Sequence, residues 1–351
     1  MKSKKKAKTI KLNFNDIIPS KLRFSHDYCL FLLKHILHVQ DSLIANKIYH
    51  TKILKKDLKE EDREEFDKVL KNKNFDWLIE KGYTKIHFEI IYKALIQRLI
   101  DDLIIFIREA LFNSIKGDLV ITFTLLRKPL KENLLILEWL LVNPKECHKL
   151  FYSDVSKISP LKTKDEKKKF LIKEALQKID NLLLNDELIF NIRYNKDAYY
   201  TFHVLWNHSI HLITTFEGTK TQNTNINYIF STNKDIQNQW KGLYFLLPYL
   251  LYYISEIQNG LFGLKEILKE NDYFAKEEGK KVLGFIVWGI ENKFWDKKIV
   301  NLNVLSQKDK IKDIECPKCS YIFSLDVKKI KQLVIDDFIR CNRCKTKFEL
   351  K

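Results

Sequence analysis

The segment KIHFEIIYKALIQRLIDDLIIFIREALFN, residues 85–113, decides the fold class of this 351-residue chain. Its polar residues are spaced four apart and form one stripe: Lys85, Glu89, Lys93, Gln97 and Asp101. Apolar residues fill the remaining positions, and this periodicity is typical of an amphipathic helix packed against other helices. The sequence therefore predicts a mainly α-helical protein, a single large helical bundle, built around this segment.

The regions that flank this segment show the same helical periodicity. Gly117 ends the first helix, and Asn143-Pro144 ends a second one, 119–142, which is apolar on nearly every side. We expect this second helix at the centre of the domain, with Pro129 kinking it or marking its true start. Further helices are predicted at 22–46, 144–153, 165–185, 197–215, 233–258 and 276–294.

Composition excludes several classes of protein. Nine glycines and six prolines are few for a chain of this length, whereas all-β folds need many turn residues. The longest uncharged apolar run, 242–255, is shorter than the roughly 18 residues of a membrane helix and contains Pro248. No apolar segment follows the basic N-terminus, so no signal peptide is expected. We predict a cytoplasmic protein that does not associate with a membrane.

The charge of the chain is strongly positive, with a formal net charge of +17. Residues 1–11 hold six lysines and no acidic residue. Such a chain attracts nucleic acid or another polyanion, although a lysine-biased genome would give the same composition. The predicted organisation is a basic flexible tail (1–12), a helical domain (13–300), a linker (301–312) and a small β zinc ribbon (313–351).

Two CxxC pairs near the C-terminus carry the most specific signal in the chain. Cys316-Pro-Lys-Cys319 and Cys341-Asn-Arg-Cys344 are separated by 21 residues. Each pair can form a tight turn that presents two thiolates, and four thiolates complete a tetrahedron around one structural Zn²⁺. A disulfide or redox motif is the alternative, but the doubled spacing and a reducing compartment argue against it. Four sulfur ligands leave no open position, so catalysis at the metal is not expected.

The spacer between the pairs predicts two or three short strands around a small apolar core: Phe323, Leu325, Val334, Ile335 and Phe338. Basic residues gather near the two CxxC turns and are candidates for contact with phosphates: Lys318, Arg340, Arg343, Lys345 and Lys347. The alternative interpretation is a basic surface that only keeps the chain soluble.

The predicted helix 197–215 places polar residues in one sector: His203, Asn207, His208, His211, Thr214 and Thr215. Imidazoles suit proton transfer or metal ligation, but such a face can also serve hydrogen bonds across the bundle. Arg127, Lys131 and Glu138 lie on one side of the otherwise apolar helix 119–142. They predict either a structural Arg–carboxylate pair or an anion site beside the histidine helix.

Three segments resemble those of bacterial HEPN-like helical proteins (higher eukaryotes and prokaryotes nucleotide-binding): LRKPLKEN (126–133), EWL (138–140) and VLWNHSIH (204–211). The resemblance spans about 85–260 and implies a setting in a toxin or phage-defence system. Catalytic members are RNases with an Arg-x4–6-His motif on one helix. Here no histidine follows an arginine at that distance, which places RNase chemistry in doubt.

Three functional hypotheses follow. The leading one is a zinc-ribbon helical protein that binds nucleic acid, with RNA favoured over DNA. The second is an HEPN-type, metal-independent RNase that uses His211, assisted by His208, Asn207 and Arg127. The third is a non-catalytic interaction or regulatory subunit that binds a protein partner or forms a homo-oligomer.

Overall fold

The computed structural model describes residues 18–72, 75–196, 201–215, 220, 221, 223, 226–229, 231–264, 272–294 and 314–349. The predicted basic tail and linker lie outside these residues. The described part is mainly helical, and its short antiparallel strands lie in the C-terminal region that carries the cysteines, which confirms the predicted fold class.

The α-helices, numbered in chain order, are α1 (Arg23–Ala45), α2 (Arg63–Asn72), α3 (Asp76–Glu80), α4 (Thr84–Ile115), α5 (Leu119–Lys128), α6 (Leu134–Val142), α7 (Pro144–Ser153), α8 (Asp165–Ile179), α9 (Asp186–Tyr194), α10 (Phe202–Ile210), α11 (Asn233–Phe262), α12 (Asp272–Glu291) and α13 (Val327–Asp336). The strands are β1 (Ile314–Glu315), β2 (Ile322–Phe323), β3 (Ile339–Arg340) and β4 (Lys347–Phe348). Short 3-10 turns occur at Ser20–Leu22, Lys55–Asp57, Glu60–Asp62 and Val155–Ile158.

The predicted helices 85–113 and 119–142 are both present. Helix α4 extends the predicted 85–113 by one residue at its start and two at its end. Helices α5 and α6 continue each other through a π-helical turn, Pro129–Asn133, so the predicted kink at Pro129 is a widened turn. A π turn shifts the hydrogen-bond pattern by one residue and can accommodate a proline without breaking the helix. Helix α6 is buried on nearly every side, as predicted.

Helix α11 forms the second half of the core. It spans 30 residues and packs against α1, α6, α8 and α12. Thr232 begins it with a capping box, and Gly263, in the left-handed region at φ 59°, ends it. None of the helices in the described residues is both long enough and apolar enough to cross a membrane.

Two predicted helices are wrong in extent by five residues or more, whereas the predictions 233–258 and 276–294 differ from α11 and α12 by at most four residues at an end. The predicted helix 165–185 ends at Ile179, because Asp180 adopts a left-handed conformation and Asn185 then caps a separate helix, α9, that the periodicity missed. The predicted helix 197–215 contributes only α10 to the described residues, because the backbone becomes extended at His211. The polar Thr and Asn residues beyond that point favour turns over helix.

The cysteine-bearing region, 314–349, is called the ribbon below. Strands β1 and β2 pair antiparallel, as do β3 and β4. The prediction of strands alone was wrong for the spacer, since α13 lies between the two strand pairs. Ile335 is exposed, whereas Leu333 and Ile339 are buried beside Phe323. Its buried apolar residues, Ile330, Leu333 and Val334, are spaced three and four apart, as in an amphipathic helix. Asp326 caps the helix by accepting a hydrogen bond from the backbone amide of Lys329.

The ribbon is docked on the helical body. Helix α13 packs against α12 and α1, and its Ile330 and Val334 belong to the main hydrophobic core. Ion pairs fasten the same interface: Asp337 with Lys280, Lys331 with Glu291, and Glu349 with Lys276. The helix that the sequence missed is therefore the element that attaches the ribbon.

We expect Gly284→Ala to destabilise the protein by about 1–3 kcal/mol, because helix α12 crosses α1 without space for a methyl group. A Cβ at Gly284 would lie 2.5 Å from Cε2 of Tyr28. The Tyr28 hydroxyl donates a 2.7 Å hydrogen bond to the carbonyl of Lys281, which holds the ring in place. Urea unfolding measures the effect. In the same helix Gly279→Ala meets nothing within 4 Å and should stabilise slightly; an equal response of the two variants would contradict the explanation.

Candidate metal centre and basic cluster

The four cysteines of the ribbon meet at one point. Their sulfur atoms all lie within 4.8 Å of one another. Sγ of Cys316 lies 3.6 Å from Sγ of Cys344, and Sγ of Cys319 lies 3.7 Å from Sγ of Cys341. A disulfide requires about 2.05 Å, whereas ligands at about 2.3 Å around a tetrahedral ion lie about 3.8 Å apart. The arrangement fits four-coordinate metal binding, and the cysteines are free of disulfides.

Two equivalent backbone turns position these ligands. The amide of Cys316 donates to the carbonyl of Tyr321 at 3.0 Å, and 25 residues later Cys341 donates to Thr346 at 2.9 Å. After each pair one residue adopts a positive φ, Ser320 at 51° and Lys345 at 60°. The left-handed residue reverses the chain so that both sulfurs of a pair point the same way. The CxxC spacing alone predicted this convergence.

Hydrogen bonds favour the thiolate state in the second turn. The amide of Arg343 donates to Sγ of Cys341 at 3.3 Å. Hydrogen bonds to the side chain and backbone of Thr346 lower the pKa of Cys344 to about 6. Cys316 and Cys341 are buried, and with four sulfur ligands a bound ion has no open position for a substrate.

The five predicted basic residues of the ribbon are all exposed: Lys318, Arg340, Arg343, Lys345 and Lys347. None of them forms an ion pair within the described parts of the chain. Two acidic residues of the ribbon, Asp337 and Glu349, are instead paired with lysines of the body. The docked ribbon therefore exposes five cations that have no ion-pair partner among the described residues, while Asp337 and Glu349 are paired with the body and Glu315 and Asp336 are exposed.

The histidine helix differs from its prediction. His203 lies 3.0 Å from Asn207, between Nε2 and Nδ2, and the rings of His208 and Tyr228 meet edge to face at 5.7 Å. His211 lies beyond the end of α10 and is exposed, and its carbonyl accepts a hydrogen bond from Asn227. The proposed catalytic residues therefore do not share one helical face. Their catalytic roles, with that of Arg127, stay predictions.

The predicted Arg–carboxylate pair exists, but with another arginine. Glu138 pairs with Arg193 of α9 at 2.5 Å, and both side chains are fully buried. The Tyr253 hydroxyl also donates to Glu138 at 2.9 Å, and Nε of Arg193 donates to the carbonyl of Leu130. Arg127 pairs with Glu132 at 3.2 Å instead. The signal that could have identified this pair is the position of Arg193. It follows the buried Ile189 by four residues and therefore lies on the same apolar face of α9, where a charge needs a partner.

Arg127 and Lys131 belong to a group of cations whose charges act on His203. Burial, followed by the charges of Lys131, Lys196, Lys168 and Arg127, lowers the pKa of His203 to about 4. Burial and three of these same cations lower the pKa of Lys131 to about 8, against the opposing charge of Glu132. We call Arg127, Lys131, Lys168, Lys196 and His203 the basic cluster. Sequence reasoning missed Lys168 and Lys196 because they come from other elements.

The fold and the cysteine site define a mainly α-helical protein with a C-terminal, zinc-ribbon-like cysteine cluster that can hold a metal ion. Comparison with protein-family models, with curated proteins and with solved structures gives no match for this chain. The resemblance to HEPN-like proteins consequently rests on the three quoted segments alone.

Proposed function

We propose that this protein is a zinc-ribbon helical protein that binds nucleic acid, with RNA favoured over DNA. The observation that carries the proposal is the surface of the docked ribbon, where five exposed cations stand beside the cysteine site while Asp337 and Glu349 are engaged by the body. Phosphate contacts by lysine and arginine supply most of the affinity in non-specific nucleic-acid binding.

Zinc is the proposed ion because a set of four thiolates in tetrahedral geometry is typical of structural Zn²⁺ sites. Four thiolates and one Zn²⁺ together carry a formal charge of −2, which the neighbouring cations balance in part. Residues 314–349 hold eight basic and five acidic residues, so the ribbon keeps a small positive excess even with a centre of charge −2, and this excess attracts a polyanion. RNA is favoured over DNA because of the resemblance of the three helical segments to HEPN-like proteins. The exposed aromatic Tyr321 beside the first turn offers an unpaired base of a single strand a surface for stacking.

The test is a triple variant of the ribbon, Arg340→Gln with Arg343→Gln and Lys345→Gln. We expect weaker binding to a single-stranded RNA, and a plot of log affinity against log salt whose slope falls in magnitude by about 2, since each lost phosphate contact removes about 0.7. Fluorescence anisotropy at several salt concentrations measures both. The side chains are exposed, so the fold should survive the change.

A matched control removes the same charge from exposed lysines of the body, Lys52, Lys145 and Lys149. This control should bind with an unchanged slope. The proposal fails if the wild-type protein binds neither RNA nor DNA at low salt, or if the ribbon variant behaves like the control. Tighter binding to DNA than to RNA of the same sequence would overturn the preference for RNA.

A further inference from the structure

The basic cluster gathers its five residues from five places along the chain. Arg127 lies at the end of α5 and Lys131 in the π-helical turn, while Lys168 lies in α8, Lys196 just after α9, and His203 in α10. Helix α10 packs against α5 and α9, and α8 packs against α9. Convergence from such distant parts of the sequence requires the tertiary fold, so it differs from a lysine-rich surface helix.

Tyr194 ties the members of the cluster together. Nζ of Lys168 lies 4.8 Å from the centroid of the Tyr194 ring, and the Tyr194 hydroxyl donates to the carbonyl of Lys131 at 3.2 Å. The hydroxyl also accepts a 2.8 Å hydrogen bond from Arg193, which is fixed in turn by Glu138. The buried ion pair therefore holds Tyr194 in place, and this restricts the movement of the residues that contact Tyr194.

The charges of the cluster do not cancel. Arg127 is paired with Glu132 at 3.2 Å and Lys168 with Asp165 at 2.8 Å. Lys131 and Lys196 form no ion pair within the described part of the chain, and the side chain of Lys131 is half-buried. Among the described residues the cluster therefore holds two positive charges without an ion-pair partner, on the half-buried Lys131 and the exposed Lys196. Keeping the half-buried charge costs free energy that a bound anion would offset.

We propose that the basic cluster is a binding site for a phosphomonoester dianion. The two uncompensated charges match the charge of about −1.5 to −2 that a phosphomonoester carries at neutral pH, whereas a carboxylate or a phosphodiester carries one. Lysine is a common ligand of phosphate, and the three free oxygens accept bonds from several ammonium groups at once. His203 and Asn207 flank the site and add neutral hydrogen-bonding groups.

The source of the phosphate is either a free mononucleotide or the phosphorylated end of a nucleic-acid strand. The inference is independent of the ribbon, because the five cations of the ribbon do not belong to the cluster. Its failure would leave the proposed function untouched, and the reverse also holds.

The experiment is calorimetric titration of the full chain with inorganic phosphate at constant ionic strength. We expect saturable binding by the wild type and affinity weakened by about tenfold or more in Lys131→Gln, since a bond to a charged group is lost. Lys131→Arg, which keeps the charge, should retain binding, and Lys145→Gln on α7 should match the wild type. Absence of saturable binding, or equal affinity in Lys131→Gln, overturns the proposal.

Two further comparisons distinguish the sources. Tighter binding of AMP than of adenosine supports a mononucleotide. Tighter binding of an RNA 10-mer with a 5′-phosphate than with a 5′-hydroxyl, lost in Lys131→Gln but kept in the ribbon triple variant, supports a strand end. If neither phosphorylated compound binds better than its unphosphorylated partner, the proposal is wrong.

The pH dependence gives an independent readout. The groups that face Lys131 are Arg127, Glu132, Lys168 with its partner Asp165, Lys196 and His203. Lys131 loses its proton as the pH rises through its pKa of about 8, while a phosphomonoester such as AMP, the ligand for this readout, is a dianion above about pH 6. Affinity should therefore be greatest near pH 7 and decline above pH 8. An affinity that stays constant from pH 7 to pH 10 contradicts the role of Lys131.

Discussion

Replacing Cys341 with serine should abolish stoichiometric metal binding and unfold the ribbon. Two strand pairs of two residues each and a core of a few side chains give the cysteine turns little stability of their own, so we expect a bound metal ion to supply much of their folding free energy. Such sites contribute an apparent 10–16 kcal/mol at neutral pH (about this range for zinc-finger peptides). We expect one zinc ion per chain in the wild type and none in the variant, measured by elemental analysis.

Hydrogen exchange should locate the damage. The amides of Cys316 and Cys341, which bond within the two turns, should lose protection in Cys341→Ser. Because Ile330 and Val334 join the main core, the thermal midpoint of the body should also fall by several degrees. Cys147→Ser, a buried cysteine outside the ribbon, is the control and should retain one ion per chain. A Cys341→Ser protein that still binds one zinc ion with intact ribbon protection would falsify the assignment.

Replacing Arg193 with methionine should lower the free energy of unfolding by about 3–5 kcal/mol, because it leaves Glu138 buried without its counter-ion. Burial already raises the pKa of Glu138, against the opposing charge of Arg193. Without Arg193 this pKa rises further in the folded protein. A carboxyl with a raised folded pKa favours folding when protonated, so the loss of stability should be smaller at pH 5 than at pH 8. Urea unfolding at the two pH values measures this difference.

A double variant separates the interaction energy of Glu138 with Arg193 from the effect of each single substitution. Glu138→Leu combined with Arg193→Met removes both charges and should recover much of the loss, since a buried ion pair is often no better than apolar residues of similar size. The interaction energy from the double-mutant cycle should therefore be large. Simple additivity of the two single variants would contradict a direct pair. Lys128→Met, which breaks an exposed pair with Asp102, should cost less than about 1 kcal/mol.

The features that could be predicted from the sequence are those that depend on the spacing of residues close together in the chain. A polar stripe at every fourth residue located α4 almost to the residue, and two CxxC pairs located the cysteine site. Local spacing fails where a boundary depends on one backbone angle, as at Asp180, whose left-handed conformation divides one predicted helix into two. It also fails for α13, whose apolar face is complete only against α12 and α1.

The candidate sites of the helical body could not be derived in the same way. Glu138 and Arg193 are 55 residues apart, and only the fold shows that they meet. The sequence predicts an anion site at Arg127 and Lys131 as one alternative, but Lys168 and Lys196, which enlarge that charge, lie on other elements. The predicted helix 197–215 places His211 on the same face as His203, but the helix ends at Ile210. Pairwise partners across a bundle are set by packing, which a single sequence does not specify.

The attachment of α13 to the body also determines the total affinity for a long ligand that contacts both the ribbon and the basic cluster of the body. On a flexible tether, the second contact of a long ligand depends on the length of the linker through an effective concentration. A ribbon bound by α12 and α1 holds its cations at a fixed distance from the body instead. Lengthening the 301–312 segment should therefore leave avidity unchanged. The affinity should instead depend on the length of the ligand and be greatest when the ligand just spans both sites.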